Sequence, residues 1–482
     1  MARAARAKPA RVGRAKPARI GRAQPARAAA PQPIRIDAGK PIRVDAGKPI
    51  RVGLLGIGTV GGGTWEVLQR NAGEIERRAG RPIRIVAVAD RRAGAAKSVV
   101  KRRARVTGDA YRLTRAADID IVVELIGGTG VARALVLDAI AHGKHVVTAN
   151  KALLATHGNE IFAAAQKRGV MVAFEAAVAG GIPIIKALRE GLAANRVEWI
   201  AGIINGTSNF ILSEMRDKGL SFEAVLAEAQ RLGYAEADPT FDIEGVDAAH
   251  KLTILSALAF GIPMQFRRAY TEGISRLTRE DISYAESLGY RIKLLGITRR
   301  AAKGIELRVH PSLVPARRLI ANVEGVMNAI LVKGDAVGPT LYYGAGAGSQ
   351  PTASAVVADL VDVTRLITAD TEHRVPHLAF QPDRLSADKI LPIGEVETAY
   401  YLRMRVVDQP GVLADITRIL AASKISIDAM VQKEPGEGEK RVDIVLLTHR
   451  AIEKNVDAAL RKIERLKTVV GKVTRIRLEE LL

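Results

Sequence analysis

A glycine-rich turn follows the first apolar stretch of the chain. Residues 50–57 are typical of a buried strand, residues 56–61 have the pattern G-x-G-x-x-G, and residues 64–69 are helical in pattern. Between a strand and a helix, such glycines allow a tight turn and a close backbone approach to a pyrophosphate at the helix N-terminus. The stretch therefore predicts a dinucleotide-binding domain of the Rossmann type. The residues predicted to bind the cofactor here are Gly56, Gly58, Thr59, Val60 and Gly61.

The end of the second predicted strand bears on which dinucleotide would bind. This strand covers residues 83–89 and is followed by Asp90, whose carboxylate would bind the ribose 2′-hydroxyl of NAD. Arg91 and Arg92 come next, and either could instead meet the 2′-phosphate of NADP. The sequence therefore leaves both cofactors open.

Strands and helices continue to alternate through the next eighty residues. Strands are predicted at 119–126 and 145–148, and helices at 133–141 and 161–167. This alternation predicts a parallel, doubly wound sheet. Gly127 ends the first of these strands and is expected to contact the cofactor. Lys151 follows the second, at the strand ends where ligands bind in open α/β sheets.

Cysteine is absent from all 482 residues. This excludes disulfides, thiolate zinc sites and a cysteine nucleophile, and it predicts a reducing, cytoplasmic location. It also excludes dehydrogenases that oxidise an aldehyde to an acid through a thioacyl intermediate, which need a thiol. The sequence has no run of 18 or more apolar residues, so no membrane span is expected. The length predicts two to four domains.

The first fifty residues are strongly basic and repetitive. They hold nine Arg, four Lys and two Asp, which is half of the net charge of +22. Residues 7–14 recur almost unchanged at 15–22, and Pro- and Arg-rich repeats of this kind bury nothing. We interpret residues 1–49 as a disordered extension without a catalytic role. A transit peptide is disfavoured because no Ser or Thr precedes Thr59, and a nucleic-acid-binding tail because it lacks aromatic residues for stacking.

A cluster of acids between residues 232 and 251 ends in a lysine. The acids are Glu236, Asp238, Asp242, Glu244 and Asp247, and the lysine is Lys251. Asp247 and Lys251 are four residues apart, so on a helix they share a face, and an apolar run at 252–258 would bury the other face. A lysine beside a carboxylate at a buried helix end is suited to proton transfer or to polarising a carbonyl. The alternative is an ordinary surface ion pair.

A loop at residues 175–183 combines a carboxylate with backbone that is free of regular structure. It follows a strand predicted at 170–174 and contains Glu175, two glycines and a proline before a helical segment. The glycines and the proline free several backbone carbonyls beside the carboxylate, which suits a monovalent or hard cation. An ordinary strand-to-helix loop is the alternative.

Two more turns could cap helices or approach a ligand. Residues 204–212 form a polar turn between apolar segments, which could cap a helix through Thr207 or Ser208. Residues 344–348 read Gly-Ala-Gly-Ala-Gly and precede a helix predicted at 355–366. This second glycine-rich helix N-terminus could also approach the cofactor.

The last eighty residues form a separate pattern after a polar, Pro-bearing linker predicted at 371–398. Strands and helices alternate as β-α-β-β-α-β, which predicts a ferredoxin-like unit. The predicted elements are strands at 401–407, 425–432, 441–448 and 472–478 and helices at 411–421 and 452–463. Within this unit a turn at 408–413 leads into a helix N-terminus, which could hold an amino-acid carboxylate.

Taken together, these motifs resemble homoserine dehydrogenase of the bacterial form with a C-terminal ACT-type regulatory domain. The resemblance covers residues 50–482 in order, and its motifs are highly specific when they occur jointly. It implies an α/β architecture with an N-terminal Rossmann-type sheet, an α+β catalytic and dimerisation domain, and a C-terminal ferredoxin-like ACT domain. The implied boundaries are 50–180 for the cofactor domain, 181–370 for the catalytic domain and 399–482 for the ACT domain. Within the catalytic range, a closing helix near 345–370 would pack with the cofactor domain.

The resemblance also implies the reaction, which reduces L-aspartate 4-semialdehyde to L-homoserine with NAD(P)H. Lys251 would then donate the proton to the carbonyl oxygen, with Asp247 beside it. Glu236 would bind the ammonium group of the substrate, and Asp242 would support the site. Lys151 would lie between the nicotinamide and the substrate.

Further residues follow from the same resemblance. Gly233 and Gly348 would line the cofactor. A sodium-type site would be formed by Glu175 and the backbone carbonyls of Val178, Gly180 and Ile182. Threonine is the expected effector of the ACT domain, and pairing of chains into a homo-oligomer is expected.

Two other classes of protein compete with this interpretation. A non-catalytic NAD(P)- and amino-acid-binding sensor would share the domains, but Lys251, Asp247 and Glu236 together argue for catalysis. A nucleic-acid-binding protein would share the basic charge, but aromatic residues make up 4% of the chain and leave little for base stacking. Neither a nucleic acid nor a membrane is therefore an expected partner.

Overall fold

The structure, a computed structural model, describes residues 48–367, 369, 374–433 and 439–481. The basic extension predicted at 1–49 lies outside the described residues apart from its last two. In the part of the chain that is described, no helix is long and apolar enough to cross a membrane.

Six parallel strands form the first sheet. The strands are β1 (Ile50–Leu55), β2 (Ile83–Ala89), β3 (Arg105–Thr107), β4 (Ile121–Glu124), β5 (His145–Thr148) and β6 (Val172–Ala173). Their order is β3-β2-β1-β4-β5-β6, so the chain reverses direction across the sheet between β1 and β4. In such sheets ligands bind at the carboxyl ends of the strands beside this switch point. The predicted doubly wound parallel sheet is confirmed.

The helices of this region cover both faces of the sheet. They are α1 (Thr59–Arg70), α2 (Ala72–Ala79), α3 (Ala93–Val100), α4 (Tyr111–Thr114), α5 (Val131–Ala141) and α6 (Lys151–Arg168). Two of them begin earlier than predicted, α1 at Thr59 rather than 64 and α6 at Lys151 rather than 161. The earlier start of α6 has a local cause, because the Asn150 side chain accepts a hydrogen bond from the N–H of Leu153 and caps the helix.

The second sheet contains eleven strands in the described chain. Its catalytic half is formed by β7 (Val197–Ile203), β8 (Tyr270–Thr271), β9 (Tyr290–Ala301), β10 (Gly304–Pro315), β11 (Met327–Gly334) and β12 (Gly338–Ala345). The helices of this half are α7 (Ile184–Lys186), α8 (Gly206–Lys218), α9 (Phe222–Arg231), α10 (Thr240–Ile243), α11 (Val246–Phe260) and α12 (Arg279–Ser287). The main path of the sheet runs β12-β11-β7-β9-β10 before it continues into the C-terminal region, and β8 pairs with β10 at the side.

Helix α13 (Ser349–Leu366) returns the chain to the first sheet. Its apolar residues are buried in the same core as those of β1, β2 and α1. Gly63 of α1 faces Ser349, whose Oγ would lie 2.5 Å from a Cβ at Gly63, so the two helices approach at a distance that only glycine allows. The helix begins at Ser349 rather than at the predicted 355, and its assignment to the cofactor domain stays a prediction.

The C-terminal region has the predicted β-α-β-β-α-β order. Its elements are β13 (Glu397–Val407), α14 (Val412–Ala422), β14 (Ile427–Gln432), β15 (Arg441–Thr448), β16 (Ala451–Ile452), α15 (Glu453–Ile463) and β17 (Val469–Leu478). The strands are arranged β17-β13-β15-β14, with β16 paired to the start of β13. This is the ferredoxin-like arrangement predicted from the sequence.

This C-terminal sheet is continuous with the catalytic one, which the sequence pattern does not indicate. Strand β17 pairs in parallel with β10, with Ser312 opposite Arg477 and Leu313 opposite Leu478. The described part of the predicted linker is also anchored, because Leu391 donates to the carbonyl of Ile305 at 2.8 Å. Residues 371–373 of that linker lie outside the described residues.

Buried ion pairs cross the line where the two halves of the sheet meet. We call them the junction network, and its members are Glu272, Glu306, Arg308, Glu453, Arg477 and Glu479. Arg308 donates to Glu479 at 2.7 Å, and Arg477 donates to Glu453 at 2.9 Å and to Glu272 at 2.8 Å. Both arginine side chains are at most 1% exposed, and a charge buried this deeply needs its partners.

Candidate active site

The lysine and carboxylate predicted from their spacing meet on α11. Lys251 Nζ lies 2.7 Å from Asp247 Oδ2 and also donates to the backbone carbonyl of Ile204 at 2.7 Å. The Lys251 side chain is 11% exposed, so the alternative of a surface ion pair is wrong. The helix is buried on every face from Asp247 to Phe260, rather than on one face as the apolar run predicted. An ammonium has three donor hydrogens, and these two contacts leave one for a ligand.

Asp247 also receives two groups from distant parts of the chain. Lys151 Nζ, at the first position of α6, lies 3.1 Å from Asp247 Oδ1. The Asn205 side chain donates to Asp247 Oδ2 at 2.9 Å and to Asp242 Oδ1 at 2.8 Å. One carboxylate therefore fixes the positions of both lysines, and one amide joins the two carboxylates.

Asn205 also caps helix α8, which corrects the predicted capping residues. Its side-chain oxygen accepts the N–H of Ser208 at 2.8 Å, so neither Thr207 nor Ser208 is the cap. Instead Thr207 Oγ1 donates to the backbone carbonyl of Tyr234 at 2.7 Å. The cap lies two residues before Thr207 and three before Ser208, because Asn serves as well as Ser or Thr at this position.

These residues line a cleft of about 450 Å³ between the two sheets. The lining residues are Lys151, Asn205, Gly206, Thr207, Gly233, Tyr234, Asp242, Asp247, Lys251, Val326, Asn328, Ala345, Gly346, Ala347 and Gly348. Gly233 and Gly348, predicted to line the cofactor, are thus brought beside both lysines. Glu236 is exposed on the loop before α10 and is not among the lining residues of the described chain.

Burial and charge act in opposite directions on the cleft's ionisable groups. Burial raises the pKa of Asp242 above its ordinary value, partly offset by the Asn205 hydrogen bond. Burial would also raise the pKa of Asp247, but the ammonium groups of Lys251 and Lys151 outweigh it and lower that pKa. Burial lowers the pKa of Lys251, although Asp247 opposes the shift. A lysine with a lowered pKa gives up its proton more readily.

The glycine-rich turn after β1 has the geometry that its motif predicts. Gly56 has φ +90°, which favours glycine, and a Cβ at Gly61 would collide with the carbonyl of Gly56. Val60 lies in the first turn of α1, which begins at Thr59 after Gly58. The first N–H groups of such a helix have no partner inside it and are free for an anion. The turn therefore fits the pyrophosphate of a dinucleotide.

Asp90 is closely tied to this turn. One carboxylate oxygen accepts the N–H of Ile57 at 2.9 Å and the other accepts the N–H of Arg92 at 2.8 Å. Burial would raise the pKa of Asp90, but these backbone hydrogen bonds lower it, so the group is a carboxylate near neutral pH. Arg91 and Arg92 beside it are exposed, and the geometry leaves both predicted cofactors open.

Glu124, at the end of β4, is a site residue that no sequence motif predicted. Its side chain is fully buried, accepts the N–H groups of Ile126 and Gly127 at 2.9 and 3.0 Å, and accepts the hydroxyl of Thr148 at 2.7 Å. It thereby orders the turn at Gly127, a predicted cofactor residue, next to the start of α6. A charged residue at the end of an otherwise apolar strand was the available signal.

Glu175, on the loop at 175–183, lies beside a second buried acid, Asp359 of α13. Both oxygens of Glu175 accept backbone hydrogen bonds from the start of α7, at 2.9 and 2.8 Å, and burial raises the pKa of Glu175 to about 7. Asp359 accepts the N–H of Glu175 at 2.8 Å, and burial raises its pKa as well. Two neighbouring buried carboxyl groups are the kind of oxygen donors that a monovalent cation accepts. Among the described side chains, no group of three or more His, Asp or Glu could hold a metal by itself.

Comparison with known proteins identifies each part of the chain. Residues 56–175 match the family model "Homoserine dehydrogenase, NAD binding domain", residues 183–361 match "Homoserine dehydrogenase", and residues 400–468 match "ACT domain". The homoserine dehydrogenase of Pseudomonas aeruginosa is 62% identical over 89% of this chain and 99% of its own length. That of Neisseria gonorrhoeae is 61% identical over 89% of this chain and 98% of its own.

Solved structures agree with this identification. A homoserine dehydrogenase from Thiobacillus denitrificans has a TM-score of 0.87 and 73% identity, covering 90% of this chain and 99% of its own. One from S. aureus has a TM-score of 0.70 and 32% identity, covering 89% of this chain and 99% of its own. The predicted fold and reaction class are confirmed. The chain belongs to the homoserine dehydrogenase family of NAD(P)-dependent oxidoreductases that act on a CH–OH group, and it carries a C-terminal ACT domain.

Proposed function

We propose that Lys251 donates the proton when aspartate 4-semialdehyde is reduced to homoserine. A hydride that reaches the aldehyde carbon leaves negative charge on the oxygen, and an ammonium beside it stabilises the charge and supplies the proton. The observation that carries the proposal is the free third hydrogen of Lys251 Nζ, whose other two hydrogens are held by Asp247 and the carbonyl of Ile204. In the reverse direction the neutral lysine accepts the proton of the hydroxyl group.

The substrate is a zwitterion, and the cleft offers groups of both signs. We propose that Asp242 and Glu236 attract its ammonium group, with Glu236 acting from the exposed loop before α10. Lys151, whose side chain is 33% exposed, is available on the opposite side between cofactor and substrate. Gly206 and Thr207 line the cleft at the start of α8, and the first N–H groups of a helix suit a carboxylate such as that of the substrate.

The nicotinamide cofactor supplies the hydride in this scheme. We propose that it binds along Gly56–Gly61, Gly127, Gly233 and Gly348, with Asp90 or Arg91 at its adenosine ribose. Either NAD or NADP is compatible with these groups. The ratio of kcat/KM for the two cofactors, compared between the parent and Arg91→Ala, tests the part of Arg91: a ratio that stays the same would exclude it from 2′-phosphate binding.

A sodium-type cation is proposed at Glu175 and the carbonyls of Val178, Gly180 and Ile182. Its support is the pair of buried acids, Glu175 and Asp359, which form no ion pair with Lys or Arg in the described chain. A bound cation would stabilise the folded state in proportion to its concentration. Replacing sodium by choline at constant ionic strength should therefore lower the Tm of the parent and leave that of Glu175→Gln nearly unchanged.

Regulation by threonine is proposed for the ACT domain, at 399–482. The turn before α14 is exposed, and Gly411 has φ +92° at its cap position, so the first N–H groups of α14 suit a carboxylate. We also propose that the chain forms a homo-oligomer in the cytoplasm, through pairing of ACT domains. Activity against threonine concentration tests the first proposal, and light scattering of the eluted protein tests the second.

One assay tests the proposed function as a whole. Absorbance at 340 nm should rise when homoserine is added with NAD or NADP, and it should not rise with Lys251→Ala. A protein that binds the cofactor but gives no signal with either cofactor would instead be the non-catalytic sensor considered above.

A further inference from the structure

The Asn328 side chain is a buried amide without a hydrogen-bond partner. Asn328 is 1% exposed, and neither its Nδ2 nor its Oδ1 has a partner in the described part of the chain. An unpaired buried amide costs free energy that a partner would recover, so such groups call for an explanation. Asn209 offers a contrast, since its equally buried amide donates to the carbonyls of Val323 and Gly325 at 3.1 and 2.8 Å.

Asn328 belongs to the wall of the catalytic cleft. It lies on β11 opposite Gly344 of β12, and it lines the cleft together with Lys151 and Lys251. The glycine-rich stretch 345–348 passes directly over it, so that a Cβ at Gly346 would collide with the amide. This cover carries no side chain longer than a methyl group, so only the backbone of residues 345–348 separates the amide from the rest of the cleft.

The same stretch leads from the cofactor turn to the catalytic lysines. Just after it, Ser349 Oγ donates to the carbonyl of Thr59 at 2.9 Å, which ties it to the start of α1. At its other end the stretch lines the cleft beside Lys251. A dinucleotide whose pyrophosphate lies at α1 must pass along residues 345–348 for its nicotinamide to reach the carbon beside Lys251.

The donor and the acceptor of the Asn328 amide match one of the chemical groups that would enter the cleft. Nδ2 donates and Oδ1 accepts, so the best partner has an acceptor and a donor side by side. The substrate brings a carboxylate and an ammonium, and charged groups of the cleft already suit both. The carboxamide of the nicotinamide ring is neutral and presents a carbonyl beside an N–H group.

We propose that Asn328 binds the carboxamide of the nicotinamide and so fixes where the ring lies relative to Lys251. This proposal rests on the proposed function for the position of the cofactor. It adds a residue that recognises the reactive end of the cofactor, which none of the glycine motifs can do by itself.

Calorimetric titration without substrate tests the proposal, because it measures cofactor affinity and not turnover. The probes are the oxidised cofactor, its 3-acetylpyridine analogue, which lacks the carboxamide N–H donor, and ADP-ribose with or without the 2′-phosphate, which lacks the ring. The parent should bind the carboxamide form roughly three- to tenfold more tightly than the acetyl form, which is the usual effect of one hydrogen bond. Asn328→Ala and Asn328→Ser should lose this preference and bind the ring-free fragment as the parent does.

Asn209→Ala is the matched control. It should lower Tm, because it leaves backbone carbonyls unpaired, and it should keep the preference for the carboxamide. Asn328→Ala should leave Tm near that of the parent, since its amide has no partner to lose. The proposal is overturned if both Asn328 variants keep the parent's preference, or if they weaken all three probes by the same factor. Lys251→Ala separates this proposal from the proposed function, because it should stop turnover and keep the preference for the carboxamide form of the cofactor.

Discussion

The catalytic cleft and the junction network both pair buried Lys or Arg side chains with carboxylates. They differ in whether a hydrogen-bond donor is left free for a ligand. In the catalytic cleft, Lys151 and Lys251 share Asp247, and one hydrogen of Lys251 has no partner in the described chain. In the junction network, Arg477 is held by Glu453 and Glu272 with its side chain fully enclosed. Buried charge holds the structure together where it is enclosed among opposite charges, and it serves chemistry where a donor in a cleft is left for a ligand.

Substitutions in the catalytic cleft and in the junction network should differ most in their effect on turnover. Lys251→Ala should lower kcat by roughly two to four powers of ten, the usual contribution of a general acid. Cofactor affinity should change little, and Asp247 keeps Lys151 and Asn205 as partners in this variant. Lys251→Arg should not restore activity, because a guanidinium does not readily give up a proton. Initial rates at 340 nm measure the effect, and a variant with near-parental kcat would contradict the assigned role.

The second effect is on stability and belongs to the junction. Glu453→Gln leaves Arg477 buried with less opposing charge and should lower the free energy of unfolding by about 3–5 kcal/mol. Protein that remains folded should keep the kcat of the parent. Chemical denaturation followed by circular dichroism measures the loss. Asp415→Asn, which removes an exposed pair with Arg418 on α14, is the control and should cost less than about 1 kcal/mol.

A smaller effect concerns substrate affinity. Glu236→Gln keeps the shape of the side chain and removes its charge, so KM for homoserine should rise roughly tenfold or more if it binds the ammonium. KM for the cofactor should stay unchanged. Asp238→Asn is a matched control, because Asp238 is an exposed acid on the same loop that accepts the N–H of Thr240. Equal effects of the two substitutions would remove Glu236 from the substrate site.

The smallest expected effect is a displacement of the pH profile. Aldehyde reduction needs the ammonium form of Lys251, so kcat should fall as pH rises through the pKa of that lysine, which burial lowers from its ordinary value. Asp247 raises this pKa and Lys151 lowers it. Asp247→Asn should therefore move the fall to lower pH and Lys151→Met to higher pH, by about one unit each. If both substitutions moved the fall in kcat in the same direction along the pH axis, a group other than Lys251 would control the profile.

Local patterns predicted the chemistry better than the arrangement around it. Asp247 and Lys251 could be paired from their spacing because a helix brings residues four apart together. Lys151 could be placed at a strand end, but its contact with Asp247 depends on how α6 packs against α11, which no local pattern encodes. Asn328 gave no signal at all, since a single Asn in an apolar strand reads as an ordinary strand residue.

Local sequence patterns do not encode long-range packing, which also explains where the predicted and observed folds differ. Strand β5 and the ferredoxin-like order could be predicted from short apolar segments between turns, whereas the starts of α1, α6 and α13 were predicted too late. Small or polar residues begin α1 and α13, whereas in α6 the polar and glycine residues at 156–160 interrupt the apolar pattern after the first turn. The pairing of β10 with β17 joins segments that are far apart in the chain, so it could not be predicted from either segment alone.

That pairing sets an order of events during synthesis. Arg308 on β10 and its partner Glu479 are 171 residues apart, and a ribosome that adds 5–20 residues per second needs roughly ten to thirty seconds to make that interval. During this time Ser312 and Leu313 of β10 lack their partner strand, and Arg308 lacks the second of its carboxylates. An open edge of this kind invites association with other nascent chains. The ACT domain, beyond any part in regulation, therefore completes the sheet of the enzyme to which it is attached.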